Sequence, residues 1–154
     1  MQLADLISPQ AVVPWLKVKT KKQLLQDLAA RAARLTGLEE RTIFDTLLQR
    51  ERLGSTGLGQ GIAIPHCKLP GLKRIVGLFA RLAEPIDFDA VDGAPVDLVF
   101  VLLAPEGAGA DHLKALARIS RLLREHQGVE KLRASKDASA IYAVLTEPAT
   151  SHAA

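Results

Sequence analysis

Between Arg50 and His66 the chain reads Arg-Glu-Arg-Leu-Gly-Ser-Thr-Gly-Leu-Gly-Gln-Gly-Ile-Ala-Ile-Pro-His, a short apolar run that ends on an imidazole. Neutral imidazole offers a nucleophilic nitrogen near pH 7. Gly54, Gly57, Gly59 and Gly61, with the hydroxyls of Ser55 and Thr56, read as a phosphate-binding loop whose backbone amides approach an anion. Each such glycine costs about 0.5–1 kcal/mol relative to Ala, and the usual return is close approach. A lone histidine at a strand end is explained by a backbone hydrogen bond. Pro65, which fixes the approach of the chain, and the adjoining glycines favour chemistry.

Two further residues fit the same chemistry. His112 follows Asp111 at the predicted first turn of a helix, where free amides and a partial positive charge favour anions and a neutral ring. An exposed first-turn histidine accounts for it equally well. Ligands of α/β sheets collect beyond the carboxyl ends of strands, so His66 and His112 face one pocket if their strands run parallel. Arg50 supplies a planar fork suited to phosphate. It falls about 90° from the centre of its helix's apolar stripe, at the turn entering the loop. Arg52 has a weaker positional argument, and His126 and His152 have none.

Sharper motifs are set aside. The loop lacks the Gly-Lys-Ser/Thr ending of a nucleotide P-loop, and its glycines precede a strand instead of opening a helix as a dinucleotide fingerprint does. His66 and Cys67 are adjacent on a strand and point to opposite faces, and no second ligand pair stands at metal spacing. No metal or other cofactor is expected, and Cys67 reads as a small buried hydrophobe.

The elements that must position these groups follow from periodicity. Leu3, Leu6 and Ile7 predict a short turn stopped by Ser8-Pro9, and residues 11–16 an edge strand because of Pro14. Thr20 and Gln23 form a capping box for a helix with Leu24, Leu25, Leu28, Ala32 and Leu35 inward, closed by Gly37. A second helix is predicted over residues 39–50 on Ile43, Phe44, Leu47 and Leu48. Glu51 faces that stripe if the helix continues, so either the helix ends there or Glu51 has a partner. Strands follow at 61–65, 75–82 and 96–104, the last nearly all apolar and therefore central, with a turn-rich Asp87–Gly93 between the latter two. A helix from about Asp111 is expected to turn Leu113, Leu116, Ile119 and Leu123 inward and to break at Gln127-Gly128. Two shorter helices at 129–134 and 137–146 follow, the second capped by Ser135, and then a flexible tail over 147–154. The fold class is α/β: a single-domain α/β/α sandwich over residues 1–154 with a mixed, partly parallel central sheet.

Composition narrows the class of function. One domain of 154 residues buries about two-thirds of its unfolded surface. The longest apolar run, Leu98 to Ala104, is far short of the roughly 20 residues of a membrane helix. No basic n-region opens the chain, and the single cysteine fits a reducing cytoplasm. Net charge is only +3, and the lysines at 17, 19, 21 and 22 read as a solvated strand end and first turn. With 4% aromatics and no broad basic stripe, nucleic acid is not an expected partner.

The run Leu58-Gly-Gln-Gly-Ile-Ala-Ile-Pro-His66-Cys67 resembles the phosphorylation-site signature of enzyme IIA domains of the bacterial phosphoenolpyruvate-dependent phosphotransferase system, fructose/mannitol type. Glu51 fits the acidic position before it. Arg50-Glu51, Gly54-Ser-Thr-Gly57 and Asp111-His-Leu113 are most similar to the stand-alone nitrogen-regulatory branch. The resemblance covers essentially the whole chain. It implies a cytoplasmic phosphocarrier in which His66 accepts a phosphoryl group from a small histidine phosphocarrier protein (HPr/NPr-like). His112 and Arg50 match the family's second pocket histidine and its arginine. The regulated partners it implies are potassium-uptake systems and sensor kinases. Two alternatives stay open: a IIA component passing phosphate to a IIB domain in fructose or mannitol uptake, and an interaction module that transfers nothing.

Overall fold

The computed structural model describes residues 2–147. Residues 148–154 of the expected tail, with His152, lie outside the described residues. Two 3-10 turns, Leu3–Asp5 and Pro9–Ala11, lead into β1 (Val12–Leu16), α1 (Lys21–Thr36) and α2 (Glu40–Leu53). Three short strands follow, β2 (Gly57–Gly59), β3 (Ile62–Ala63) and β4 (His66–Leu69). Two long ones come next, β5 (Val76–Ile86) and β6 (Val96–Pro105), and then α3 (Ala110–Arg124), α4 (His126–Ala134) and α5 (Ala138–Thr146).

The strand order is β1-β5-β6-β3-β2, with β4 also paired to β6. β1 runs parallel to β5 at the sheet edge, as Pro14 requires, and β5 is antiparallel to β6. β3 and β4 both run parallel to β6, Ile62 opposite Leu98 and His66 opposite Leu102. They are two pieces of one path, interrupted where Ile64 N–H turns away to the Thr56 carbonyl and Pro65 has no N–H to offer. His66 therefore opens a strand, where the sequence reading had it closing one. The sheet is mixed and partly parallel. Along β6, Leu98 through Leu102 are fully buried, which requires cover on both faces. That cover comes from α1 and α2, packed on one another, and from the succession α3, α4 and α5.

Local chemistry explains where the elements begin and end, and corrects several expectations. Thr20 Oγ1 caps α1 by accepting from Gln23 N–H, while Gln23 Oε1 reaches Lys19 N–H in place of the expected Thr20. α2 runs to Leu53, three residues beyond the expected Arg50, because buried Glu51 finds partners and need not end the helix. α3 turns His112, Ala115, Ile119 and Leu123 inward. Leu113, expected inside, is 67% exposed; it sits one position, about 100°, from the true stripe. Gly128 lies within α4, and the break falls at Glu125 instead. Asp137 Oδ1, accepting from Ala140 N–H, caps α5, whereas Ser135 donates to the Lys131 carbonyl.

Candidate functional site

His66 is half-buried at the start of β4, and its Nδ1 lies 2.7 Å from the Ile64 carbonyl oxygen. A carbonyl only accepts, so Nδ1 carries the hydrogen and the lone pair of the neutral ring resides on Nε2. Burial lowers the imidazole's pKa below the ordinary 6.5, with the Arg50 cation acting the same way. The Ile64 carbonyl and the Glu51 carboxylate oppose the shift without reversing it. The ring is thus neutral near pH 7, with its unprotonated nitrogen chosen by the backbone.

His112 stands in the first turn of α3, and its ring centroid is 5.8 Å from that of His66, tilted by 56°. The parallel pairing of β4 with β6 carries the chain past His66 before α3 folds back over it. The exposed alternative for His112 does not hold, since it is 8% exposed. Its Nε2 is fully buried without a hydrogen-bonding partner among the described residues. An orphaned buried nitrogen costs about 1–3 kcal/mol, a cost an anion in the pocket would relieve. Burial, then the neighbouring charges of His66 and Lys68, lower the His112 pKa. Lys68 shares a strand face with His66, two residues on.

Arg50 is part-buried on α2, one turn before the helix end, and its Nη1 donates to the Gly54 carbonyl at 2.8 Å. That bond holds the guanidinium over the loop while leaving the other donors of the fork unused by it. Arg52 and His126 are exposed, and His126 lies beside Glu130 on α4.

The loop departs from expectation. Its amides were expected to be free, but several are already bonded. Gly54 N–H donates to the Glu51 carbonyl, Thr56 N–H to Glu51 Oε1, Gly57 N–H to Ser55 Oγ and Gln60 N–H to Asp92 Oδ2. Ser55 Oγ in turn donates to the Phe88 carbonyl. Gly57 is needed because a side chain there would meet Ala90 Cβ at 2.8 Å. Gly59 and Gly61 belong to the tight turn between β2 and β3, at the far end of that hairpin from His66, with Gly61 at φ 84°. Residues 54–57 therefore scaffold the site, and the two later glycines shape a turn away from it.

Three groups were missed or misread in the sequence. The Ile64 carbonyl leaves no side-chain signal. Lys21, assigned to solvent, lies 3.0 Å from Glu51 Oε1 and over the Phe88 ring. Thr56 hydrogen-bonds to Glu51 through both its amide and its hydroxyl. The signal for this network was Glu51 itself, a carboxylate on an apolar helix face. Cys67 faces the core opposite His66, and burial pushes its thiol up to about 12. No cluster of metal-ligating side chains occurs among the described residues, and no helix there is long and apolar enough to cross a membrane.

Comparison with known proteins places this geometry. Residues 5–147 match the family described as phosphoenolpyruvate-dependent sugar phosphotransferase system, EIIA 2. The chain is 66% identical to a nitrogen regulatory protein of Bradyrhizobium diazoefficiens over 96% of this chain and 97% of that one. It is 40% identical to a nitrogen regulatory protein of Pseudomonas aeruginosa over 96% of each. The crystal structure of nitrogen regulatory protein IIA-Ntr from Neisseria meningitidis superimposes with a TM-score of 0.89 at 38% identity, over 94% of this chain and 99% of that one. IIA mannitol from Escherichia coli, 18% identical, shares the fold with a TM-score of 0.75 over 90% of this chain and 97% of that one.

Proposed function

This chain belongs to the EIIA 2 family of the phosphoenolpyruvate-dependent sugar phosphotransferase system, on the branch of the nitrogen regulatory proteins, and from that premise we propose that His66 Nε2 accepts a phosphoryl group from a histidine phosphocarrier protein. The observation that carries the reading is the 2.7 Å contact of Nδ1 with the Ile64 carbonyl, which leaves Nε2 unprotonated beside His112.

The chemistry follows from those positions. The Nε2 lone pair attacks phosphorus as the P–N bond of the donor's phosphohistidine breaks and its electron pair returns to the donor's ring. The His66 ring becomes cationic, and the Ile64 carbonyl, still accepting from Nδ1–H, faces that charge. Arg50 and the buried Nε2 of His112, as a donor, take the oxygens of the transferred group, aided by the N-terminus of α3. Phosphoryl transfer depends on such positioning and charge stabilisation more than on covalent work by the protein. Phosphohistidine at the surface then makes this chain a cytoplasmic regulator read by its partners, with potassium-uptake systems and sensor kinases as the partners the family branch implies.

Incubation with phosphoenolpyruvate, enzyme I and the phosphocarrier tests this. Wild type should gain one acid-labile phosphate and His66→Ala none. A wild type that takes up nothing would leave an interaction module without transfer.

A further inference from the structure

We propose that Glu51 is a positioning residue for His66, acting through Thr56 and the Ile64 carbonyl to fix the imidazole in the tautomer that leaves Nε2 free. The inference rests on the reading of His66 as the phosphoryl acceptor.

The links are continuous. Glu51 is 6% exposed, and each of its carboxylate oxygens is used. Oε1 accepts from Thr56 N–H at 3.1 Å and meets Lys21 Nζ at 3.0 Å, while Oε2 accepts from Thr56 Oγ1. Thr56 is thereby pinned at its amide and its side chain. Its carbonyl accepts from Ile64 N–H at 3.1 Å, and the Ile64 carbonyl accepts from His66 Nδ1–H at 2.7 Å. On either side of Ile64 the chain is tied to the sheet, Ala63 opposite Val99 and the Pro65 carbonyl accepting from Leu102 N–H at 2.9 Å, so the bond from Ile64 N–H to Thr56 is what links the Ile64 peptide to the 54–57 loop. Lys21 Nζ also donates to the Phe88 carbonyl, which takes the Ser55 hydroxyl as well, so residues 55 and 56 are bracketed together.

Stability alone does not account for this arrangement. Desolvating a carboxylate is costly, and replacing a buried ion pair by apolar side chains of similar size is often neutral or stabilising. Leu or Met at position 51 would complete the apolar face of α2. A carboxylate there instead dictates where the 54–57 loop lies, and so which nitrogen of His66 holds the proton.

The test uses 15N-labelled full-length protein, reading the two His66 ring nitrogens by long-range 1H–15N correlation at a pH where the ring is neutral. Phosphoryl uptake from the phosphocarrier is measured on the same samples. The double variant Lys21→Met/Glu51→Met removes the ion pair without leaving an unpaired charge and should stay folded. Thr56→Val cuts the hydroxyl link alone, and Thr56→Ser restores it. Wild type and Thr56→Ser should show Nδ1–H, while the double variant and Thr56→Val should populate Nε2–H and lose uptake rate by about tenfold or more. Folded variants that keep the wild-type nitrogen shifts and rate would overturn the proposal, as would an Nε2–H ring in wild type. Should the double variant fail to fold, Thr56→Val decides. Absence of uptake by wild type would refute the phosphocarrier reading, while the nitrogen shifts, which need no donor, still decide the role of Glu51.

Discussion

At the residue scale, burial lowers the pKa of two adjacent imidazoles, and the Arg50 cation pushes that of His66 the same way. Arg50→Ala should leave the fold intact, because its bond to the Gly54 carbonyl is partly exposed, yet slow phosphorylation. Loss of one charge-assisted contact to phosphate, about 1.5–3 kcal/mol, corresponds to roughly a 10- to 150-fold drop in rate. An unchanged rate would remove Arg50 from the site. Protonation gives a second expectation. Both histidines have folded-state pKa values below the ordinary 6.5, so the unfolded chain binds protons first as pH falls. Stability from these groups is retained above that value and declines as pH drops through it. Urea denaturation should therefore show a falling midpoint below pH 6.5, and His112→Gln should flatten that fall. Uptake by His66 should likewise fall off at lower pH than the titration of a free imidazole, since burial keeps the ring neutral further into acid.

At the element scale, the site depends on how two segments are interrupted and packed. The Ile64-Pro65 interruption divides one strand path into β3 and β4 and swings the Ile64 carbonyl toward His66. The close approach of the 87–93 loop to β2 leaves no room at Gly57. Gly57→Ala should destabilise the protein by about 1–3 kcal/mol through overpacking against Ala90, with uptake falling as the loop shifts. A variant with wild-type melting temperature would show that the contact yields freely. Helix caps offer a control away from the chemistry. Asp137→Ala removes the acceptor for Ala140 N–H and should cost about 1 kcal/mol while leaving uptake unchanged.

At the scale of the whole molecule, the two histidines meet because a parallel pair of strands and the helix after β6 deliver them from sequence positions 66 and 112 to one end of the sheet. Rigidity of β6 is the condition for that meeting. Phe100 at its centre is fully buried and packs edge-on to Phe79, with ring centroids 6.3 Å apart. Phe100→Ala should cost about 3–5 kcal/mol. For a domain of this size that lowers the melting temperature by roughly 6–20 °C, a shift read directly by calorimetry.

Taken alone, the chain specified the α/β class, the central apolar strand, the caps at Thr20 and Gly37, and the placing of an imidazole at position 66 beside a strand break, because periodicity, capping and residue type are local properties. The position of Arg50 beside the loop was legible for the same reason. Tertiary structure alone decided three matters. Leu113 yielded the inner face of α3 to His112, since the pocket needs a polar group where periodicity counts only apolar ones. The glycine stretch became a bonded scaffold instead of an open cradle, since its partners Glu51, Phe88 and Asp92 arrive from other segments. Which nitrogen of His66 stays unprotonated was decided by a backbone carbonyl, whose direction no side chain encodes and only the kink before β4 determines.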